Sequence, residues 1–485
     1  MNAPANLGAD AHRAAMLEVL DRQKKAHIDQ GAPSAELRID RVNRCIKLLI
    51  DYQDRIVEAL NEDFGARSKD ASALTDIAGT IGSLKHAREH VKKWMKPEKH
   101  KTTPAILGLF GAKSMVYSVP KGTVGVISPW NFPVNLTFAP LGGILAAGNR
   151  VMIKPSEFTP ATSELMKEMF EKAFSEDEIA VVTGGPEVGQ AFSSLPFDHL
   201  LFTGATSIAK HVMKAAAENL VPVTLELGGK SPVILGRTAD LPTAAARVMN
   251  GKTLNAGQIC LAPDYVLAPE DRVNEFVSEA QASVARMFPT LKDNPDYTSV
   301  IAQRHYDRIM GYVEDAKAKG AQVIEINPAD ENLTQQPHRK IAPTLIINPT
   351  DDMKVMQEEI FGPVLPVKTY KNVDEAVAYV NAHDRPLGLY YFGADQAEQD
   401  KVVEKTTSGG VTINDVIMHI TQEEIPFGGV GPSGMGSYHG ADGFREFSHR
   451  KSVFTQLKKD IPQLVQMRPP FGKGFRGYVK SQIKA

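Results

Sequence analysis

The sequence is poor in cysteine, and this excludes one class of protein. Only two of its 485 residues are cysteines, Cys45 and Cys260, and they lie far apart in the chain. Two isolated cysteines do not make the disulfide framework on which small secreted proteins rely. We therefore expect two free thiols in a reducing compartment. Because no C-x-x-C pair or cluster of cysteine and histidine is present, we expect no metal site.

Long apolar runs and an excess of charge of one sign are also missing. No stretch approaches 18 uninterrupted apolar residues, so we expect no membrane-spanning helix. The first residues lack a basic start followed by an apolar run, so no signal peptide is expected. The formal net charge is −2, which gives no general attraction to nucleic acid or to anionic membranes. These absences favour a cytoplasmic protein without nucleic acid or membrane partners.

The N-terminal fifth of the chain has a helical pattern. Across residues 11–94, apolar residues recur at helical spacing among many charges, which predicts three or four amphipathic helices. The breaks expected are Gly31 with Pro33, and Gly65. This segment shows no obvious chemistry. Residues 97–111 then accumulate proline, glycine and threonine around an apolar island, which indicates either a surface linker or an arm at an interface.

The middle of the chain alternates between strand and helix patterns. Between residues 121 and 227, β-branched apolar runs begin near Val124, Val151, Ile179, Leu200 and Val223. This alternation predicts a parallel sheet with crossover helices, the architecture that commonly holds dinucleotides at the carboxyl ends of its strands. A second α/β pattern follows to about residue 414. Its predicted strands are residues 233–235, 265–268, 323–326, 344–347, 364–367 and 410–413.

The C-terminal part has two compositional features. A glycine-rich run, I-P-F-G-G-V-G-P-S-G-M-G, follows Glu424 and is typical of a specially folded loop rather than a regular element. The tail from Lys451 to the end holds eight lysines and arginines and one acid, Asp460. It is expected to be a solvated basic tail, because no apolar or lipidated partner for a membrane anchor is visible.

The stretch N-A-G-Q-I-C-L-A-P, residues 255–263, centres on Cys260. Gly257 and Ala262 flank the cysteine with small side chains, so a substrate can approach the sulfur closely. Two interpretations of Cys260 remain open from this stretch alone. It is either a covalent nucleophile or a buried cysteine that packs as a small hydrophobe.

Three short motifs lie at predicted strand ends. P-W-N-F-P, residues 129–133, is a rigid turn in which Asn131 either donates to an oxyanion or satisfies the turn backbone. K-P-S-E begins at Lys154, and it either binds ribose hydroxyls or is a solvated charge pair. F-T-G, residues 202–204, opens a helix whose N–H groups can meet phosphate, although it is not a G-x-G-x-x-G fingerprint.

Two further motifs contain acids. In L-E-L-G-G-K, Glu226 lies among apolar residues, which raise the pKa of a carboxyl group and suit it to act as a general base. The alternative is a structural acid paired with Lys230. In E-E-I-F-G-P, residues 358–363, an acid and an aromatic precede a tight Gly-Pro turn, which is either functional or only a capped turn.

Taken together and in this order, the motifs resemble the aldehyde dehydrogenase superfamily over about residues 120–450. The combination is highly specific, and it decides the interpretation of Cys260 in favour of a nucleophile. The short N-terminal helical region resembles the class 3 branch. The segment G-Q-I-C-L-A-P-D-Y is most similar to bacterial members that act on coniferyl aldehyde, which implies an aromatic substrate. The alternative substrate is a medium- or long-chain aliphatic aldehyde.

The resemblance implies NAD(P)-dependent oxidation of an aldehyde to a carboxylic acid through a thiohemiacetal and a thioester. Cys260 would attack the aldehyde, Asn131 and the Cys260 N–H would hold the oxyanion, and Glu226 would activate water. NAD is the expected cofactor, with NADP possible, because the charge of Glu157 disfavours a 2′-phosphate. The implied cofactor-binding residues are Ser128, Trp130, Lys154, Ser156, Glu157, Thr203, Gly204, Ala205, Leu227, Glu359 and Phe361.

The resemblance also implies the fold, an α/β protein with a Rossmann-like cofactor domain, an α/β catalytic domain and a small β bridging arm. The arm, with a strand at residues 114–119, would pair two protomers into a homodimer. The implied boundaries are residues 1–98 and 121–227 for the cofactor domain with its N-terminal helices, 228–414 for the catalytic domain, 99–120 and 415–450 for the arm, and 451–485 for the tail.

Three points qualify the resemblance. The family commonly has a glycine where this chain has Ala209, whose methyl group could narrow the approach of the cofactor pyrophosphate. A relative that passes the thioester to coenzyme A would generally lack the acid found here as Glu226. A non-enzymatic protein of the same fold would have lost Cys260, Asn131 or Glu226, and all three are present.

Overall fold

The structure, a computed structural model, describes residues 9–458 and 468–484. The helices of these residues, in chain order, are Ala9–Gln30, Ala35–Asp51, Gln53–Phe64, Lys69–Ser72, the π-helix Ala73–Ala78, Gly79–Trp94, Ala105–Leu109, Asn135–Ala147, Pro160–Ala173, Pro186–Ser193, Thr206–Ala217, Leu241–Thr253, the 3₁₀ helices Leu254–Gly257 and Glu270–Arg272, Val273–Met287, Gln303–Ala318, Lys354–Gln357, Val373–Asn381, Gln396–Lys405, the 3₁₀ helix Met418–Thr421, Gly440–Glu446 and Lys473–Gln482.

The strands form three sheets. In chain order they are β1 (Glu98–His100), β2 (Lys113–Pro120), β3 (Thr123–Ile127), β4 (Arg150–Lys154), β5 (Ile179–Val181), β6 (His199–Thr203), β7 (Val223–Glu226), β8 (Pro232–Leu235), β9 (Tyr265–Pro269), β10 (Gln322–Glu325), β11 (Thr344–Ile347), β12 (Val364–Tyr370), β13 (Gly388–Phe392), β14 (Gly410–Ile413), β15 (Gly434–Met435) and β16 (Ser448–Thr455).

The first sheet has the order β15-β7-β6-β3-β4-β5. Its pairs from β7 to β5 are parallel, as the alternating pattern predicts. The glycine-rich run differs from the expected irregular loop, because two of its residues form β15 and pair antiparallel with β7. This pairing places Gly434 opposite Glu226. The run therefore joins the first sheet beside the predicted base.

The second sheet has the order β10-β11-β12-β9-β8-β13-β14, and only its edge pair β10–β11 is antiparallel among the described strands. All six predicted strands are present, but strand β13, which lies between β8 and the edge strand β14, was not predicted. Its five residues are all buried, as are those of the predicted strands β8 and β9. Its sequence G-L-Y-Y-F contains no β-branched residue, so the β-branched pattern that marks the other strands is missing.

The N-terminal segment is helical, as predicted, with breaks at Gly31 and at Gly65, whose positive φ of 80° closes the third helix. The helix Gly79–Trp94 packs on Asn135–Ala147, and both contribute to one buried apolar cluster. The π-helix Ala73–Ala78 directly precedes Gly79–Trp94 in the chain. The segment thus covers the first sheet and lies against the helix that follows the P-W-N-F-P turn.

The third sheet consists of β1, β2 and β16, all antiparallel. Strand β2 matches the expected strand at 114–119. Strand β16 continues to Thr455, five residues past the end expected for the arm at 450, because it pairs along the full length of β2. The tail also contains the helix Lys473–Gln482, which has no buried residue; Asp460 lies outside the described residues. Within the described part of the chain, no helix is both long and apolar enough to cross a membrane.

Candidate active site

A cavity of about 750 Å³ is lined by residues from loops that connect the strands and helices of both α/β units. Its size is in the range that suits a small-molecule ligand. Most of the predicted site residues lie on its wall. These residues are Trp130, Asn131, Thr203, Gly204, Ala205, Glu226, Leu227, Cys260, Glu359 and Phe361.

The chain reaches Cys260 through a strained turn. Asn255 and Ala256 have φ values of 50° and 52°, which non-glycine residues rarely adopt. Gly257 has a φ of 72°, and a side chain there would overlap the carbonyl oxygen of Gly362. Backbone strain of this kind costs energy and persists only where the surroundings impose it. The turn therefore holds the cysteine stretch tightly against the segment after Phe361.

Gln258 fixes this turn from inside the protein. Its Nε2 donates to the carbonyl oxygens of Asn255 at 2.9 Å and Ser299 at 3.1 Å, and its Oε1 accepts from the N–H of Ile301 at 3.0 Å. The side chain is fully buried. No interaction of this kind can be read from the motif alone, because residues 299 and 301 are distant in sequence.

The Cys260 thiol lies at the cavity wall and is partly exposed. Burial, together with the nearby carboxyl groups of Glu359 and Glu226, raises its pKa to about 12. The backbone N–H groups of Cys260 and Leu261 act in the opposite direction, because they hydrogen-bond to the sulfur. The thiol is therefore protonated at neutral pH, and it needs a base to become a nucleophile.

Asn131 is held next to the cysteine turn. Its Nδ2 donates to the carbonyl oxygen of Gln258 at 3.1 Å, two residues before Cys260. The backbone carbonyl oxygen of Asn131 accepts from Asn255 Nδ2 at 3.0 Å. An amide group carries two N–H donors, so one can serve Gln258 while another faces the cavity. The side chain bridges two loops rather than satisfying only its own turn.

A buried ion pair supports Asn131 from the N-terminal helices. Arg67 donates to the Asn131 carbonyl oxygen at 2.9 Å and to Asp76 at 2.7 Å. Asp76 is fully buried, and it also accepts from the N–H groups of Val134 and Asn135 at 3.2 Å each, at the start of Asn135–Ala147. The N-terminal segment, in which the sequence shows no obvious chemistry, therefore holds the backbone of Asn131 in place.

Glu226 is buried at the end of β7, and neither carboxylate oxygen has a hydrogen-bond partner. Lys230, its alternative partner, instead bonds to Asp264 and donates to the carbonyl oxygens of Val355 and Glu358 at 2.9 Å each. Burial raises the pKa of Glu226 well above 4.5, and the charge of Glu446 adds to this. An unpaired acid with a raised pKa suits proton transfer near neutral pH.

Glu359 lies over the glycine pair of L-E-L-G-G-K. A side chain at Gly228 would overlap the Glu359 carboxylate, so only glycine permits this approach. Burial raises the Glu359 pKa to about 8. The backbone of its motif is held by Arg308, which donates to the carbonyl oxygens of Glu359 at 3.2 Å and Ile360 at 2.9 Å.

Aromatic side chains form one part of the cavity wall. Phe361, with a φ of 50°, meets the Trp130 ring edge-on at 5.4 Å between centroids. His305 lies 5.3 Å from Trp130, and burial lowers its pKa to about 4, so the ring is neutral. His305 and Arg308 were not predicted. Their spacing of three on the helix Gln303–Ala318 places both on one face, but nothing in the motif order links that helix to the site.

Four predicted cofactor residues, Ser128, Lys154, Ser156 and Glu157, do not line the cavity. Lys154 Nζ donates to Glu157 at 2.9 Å, and both residues lie at the carboxyl end of β4. Ala209 is only 1% exposed and packs in the apolar cluster below the helix Thr206–Ala217. Its methyl group therefore faces the core rather than the cavity, in contrast to the expectation that it narrows the site.

Comparisons with known proteins extend over nearly the whole chain. A model of the aldehyde dehydrogenase family matches residues 8–453. The chain is 74% identical over 484 residues to a probable coniferyl aldehyde dehydrogenase of Caulobacter vibrioides, covering 100% of both. It is 55% identical over 459 residues to a coniferyl aldehyde dehydrogenase of a Pseudomonas species, covering 94% of each. The solved substrate-bound AldH of Staphylococcus aureus is 37% identical with a TM-score of 0.89, covering 97% of this chain and 99% of that one.

Proposed function

The chain belongs to the aldehyde dehydrogenase family, as its motifs predict, and from this premise we propose that it oxidises an aromatic aldehyde such as coniferyl aldehyde. It has the family's fold and is an NAD(P)-dependent oxidoreductase that acts on aldehydes. One observation carries the proposal for the site. Cys260, Asn131 and the unpartnered Glu226 line the same cavity. The aromatic substrate is supported by the names of the two similar bacterial proteins.

In the proposed first step, the Cys260 sulfur attacks the aldehyde carbon. The thiol is protonated at neutral pH, so its proton passes to the ionised form of one of the two acids of the cavity, Glu226 or Glu359, and from there to solvent before the last step. A carbon–sulfur bond forms, and the carbonyl electron pair moves to oxygen. The Asn131 amide and the backbone N–H at Cys260 hold the resulting oxyanion.

In the proposed last step, Glu226 takes a proton from water, which attacks the thioester carbon. The carbon–sulfur bond breaks, the carboxylic acid leaves, and Glu226 returns its proton to the sulfur, which restores the Cys260 thiol. Because both Glu226 oxygens lack protein partners, they are free to hold that water. A thioester that is instead transferred to coenzyme A would need no such base, so Glu226 argues against this alternative.

The residues present fit a nicotinamide dinucleotide. Small residues, Gly204 and Ala205, precede the helix Thr206–Ala217 and leave its first N–H groups to a pyrophosphate. Glu359, with one buried oxygen unpartnered, would hold a ribose, and Phe361 with Trp130 would pack on the nicotinamide. When bound, the cofactor accepts the hydride from the substrate carbon. We propose NAD over NADP, because the Glu157 carboxylate near Lys154 repels a 2′-phosphate.

Two further features belong to the proposal. The arm sheet and the segment that joins β1 to β2 leave large apolar side chains exposed, among them Phe454 in the sheet and Leu109 and Phe110 in the segment, and a homodimer would cover them. Free thiols at Cys45 and Cys260 favour the cytoplasm as the compartment.

A substrate panel tests the proposed function. Turnover is measured with coniferyl aldehyde, benzaldehyde and medium-chain aliphatic aldehydes, each with NAD and with NADP. The expected result is the highest kcat/KM for coniferyl aldehyde with NAD, and conversion to the acid. A higher kcat/KM for an aliphatic aldehyde would overturn the aromatic assignment, and acyl-coenzyme A as the main product in the presence of coenzyme A would overturn hydrolysis.

A further inference from the structure

Two histidines and a glutamate meet on the surface, away from the residues that line the cavity. His86 and His90 are four residues apart on the helix Gly79–Trp94, so they lie on the same face. Glu424, just before the glycine-rich run, approaches both. His86 Nε2 lies 2.6 Å and His90 Nε2 lies 3.8 Å from Glu424 Oε1. One nitrogen or oxygen from each residue lies within 4.8 Å of the others.

The His90 ring is oriented so that its Nε2 directs a lone pair toward Glu424. Its Nδ1 lies 2.8 Å from the His86 carbonyl oxygen, which can only accept a hydrogen bond. The proton of the neutral ring is therefore on Nδ1, and Nε2 faces Glu424 with a lone pair. Metal-bound histidines are commonly oriented through the same hydrogen bond, from the second ring nitrogen to a carbonyl oxygen.

Neighbouring rings hold both imidazoles in place. The His86 and His90 rings are 4.3 Å apart between centroids, and His90 stacks on Trp94 at 5.4 Å. Trp94 in turn packs on Phe444 at 5.7 Å. Side chains that are already ordered lose little conformational entropy when they bind a ligand. The His86 and His90 side chains remain 17% and 27% exposed, so an ion from solvent can reach them.

We infer that His86, His90 and Glu424 form a binding site for a divalent transition-metal ion, of which zinc is the representative. Two imidazoles and a carboxylate are a ligand set that zinc accepts, and they suit Ni²⁺ and Co²⁺ as well, whereas Mg²⁺ and Ca²⁺ prefer oxygen ligands alone. Bond lengths of about 2.0–2.2 Å place the ligand atoms of a tetrahedral ion roughly 3.4 Å apart. The His86–Glu424 pair, at 2.6 Å, must therefore open slightly, and the wider separations, up to 4.8 Å, must close. Glu424, whose side chain is 74% exposed, is free to move as the ion binds.

Such an ion would tie the helix Gly79–Trp94 to the segment that leads into the glycine-rich run. The two are already in contact, because Ser83 on the same helix donates to Glu423. The helix also contacts the start of Asn135–Ala147, where Asn135 Nδ2 donates to Thr80 Oγ1 at 2.9 Å. The metal would thus brace the helix that contacts the start of Asn135–Ala147, without touching the reacting atoms.

Zinc binding by the full-length chain tests the site. Because zinc also binds an active-site thiol, the chain carries Cys260→Ala, and binding is measured by equilibrium dialysis and by the melting temperature at rising ZnCl₂. The expected result is one saturable ion per chain and a melting temperature that rises with zinc concentration. Glu424→Gln, at an exposed position, and His90→Gln should each weaken zinc binding about tenfold or more.

His100→Gln is the matched control, because His100 lies 3.5 Å from an acid, Glu98, on an exposed strand. It should leave zinc affinity unchanged. Visible absorption with Co²⁺ in place of zinc should show the bands of a low-symmetry nitrogen-containing site, and the bands should be lost with His90→Gln. Absence of saturable zinc binding, or equal affinity in His90→Gln and its parent, would show that His86 and Glu424 form an ion pair only.

Discussion

At the residue scale, Glu226 is an acid in surroundings that disfavour its charge. Its carboxylate is buried without a partner, and burial raises its pKa well above 4.5. In the unfolded chain the same group ionises near 4.5. Between pH 4.5 and the higher pKa of Glu226 in the folded state, the folded protein therefore holds one more proton than the unfolded chain. The free energy of unfolding falls as pH rises through that window. The site keeps a base available at a cost in stability.

Glu226→Gln removes this cost together with the base. We expect the variant to unfold at a higher temperature than the wild type at neutral pH. The difference should grow by about 1.4 kcal/mol per pH unit above 4.5, until the folded-state pKa is reached. Thermal unfolding between pH 5 and pH 8 measures it. Glu325→Gln, at an exposed position on the edge strand β10, is the control and should show no such trend. A Gln variant less stable than wild type at neutral pH would contradict the raised pKa.

The candidate site residues could be predicted from the sequence, because they lie in short motifs. The residues that hold them in place could not be predicted. Cys260, Asn131 and Glu226 lie in short motifs, and they line one cavity in the structure. Gln258 and Arg67 act through partners that are distant in sequence, such as Ser299 and Asn131. A single side chain in a helix or turn gives no sign of a partner that only the fold brings near.

At the scale of elements, the Asn131 turn is held by a helix-borne ion pair. Arg67 lies between the Phe64 and Phe132 rings, at 4.5 Å and 5.2 Å from their centroids, and Asp76 caps the start of Asn135–Ala147. Both charged side chains are buried. Because a π-helix presents Asp76, amphipathic periodicity alone did not indicate its role. The parallel strands, in contrast, were predictable from runs of β-branched residues, apart from β13.

Removing one member of this buried pair should destabilise the protein strongly. We expect Arg67→Met to lower the free energy of unfolding by about 3–5 kcal/mol, because it leaves the Asp76 carboxylate buried without its cation. Urea unfolding measures the change. Arg55→Met breaks an exposed pair with Glu168 and should leave the free energy of unfolding nearly unchanged. Equal losses in the two variants would contradict the supporting role of Arg67.

At the scale of the whole molecule, the arm sheet has apolar side chains that a single chain leaves exposed to solvent. Strand β16 brings residues near the C-terminus back to β2, and Phe454 at its end is 51% exposed. The tail helix Lys473–Gln482 buries none of its residues within the chain. Its place could not be predicted from composition, which gave only its basic charge. A second protomer would explain why apolar side chains are left uncovered here.

A charge placed on the arm tests the proposed homodimer. We expect Phe454→Asp to shift the protein from dimer to monomer in size-exclusion chromatography with light scattering, because a buried unpaired carboxylate is costly at an interface. Val403→Asp, at an equally exposed apolar position on the helix Gln396–Lys405, should leave the dimer intact. A monomeric wild type would remove the basis of the proposal.

The central claim is that Cys260 carries the substrate as a thioester which Glu226 hydrolyses. Intact-protein mass spectrometry of Glu226→Gln, mixed with aldehyde and NAD⁺, tests it most directly. Loss of the general base should slow hydrolysis about 10²–10⁴-fold, so that the acyl-enzyme accumulates. We expect a mass increase equal to one acyl group, located by proteolysis on the peptide that contains Cys260. Turnover of Glu226→Gln at the wild-type rate without an adduct, or an adduct on another residue, would contradict this mechanism.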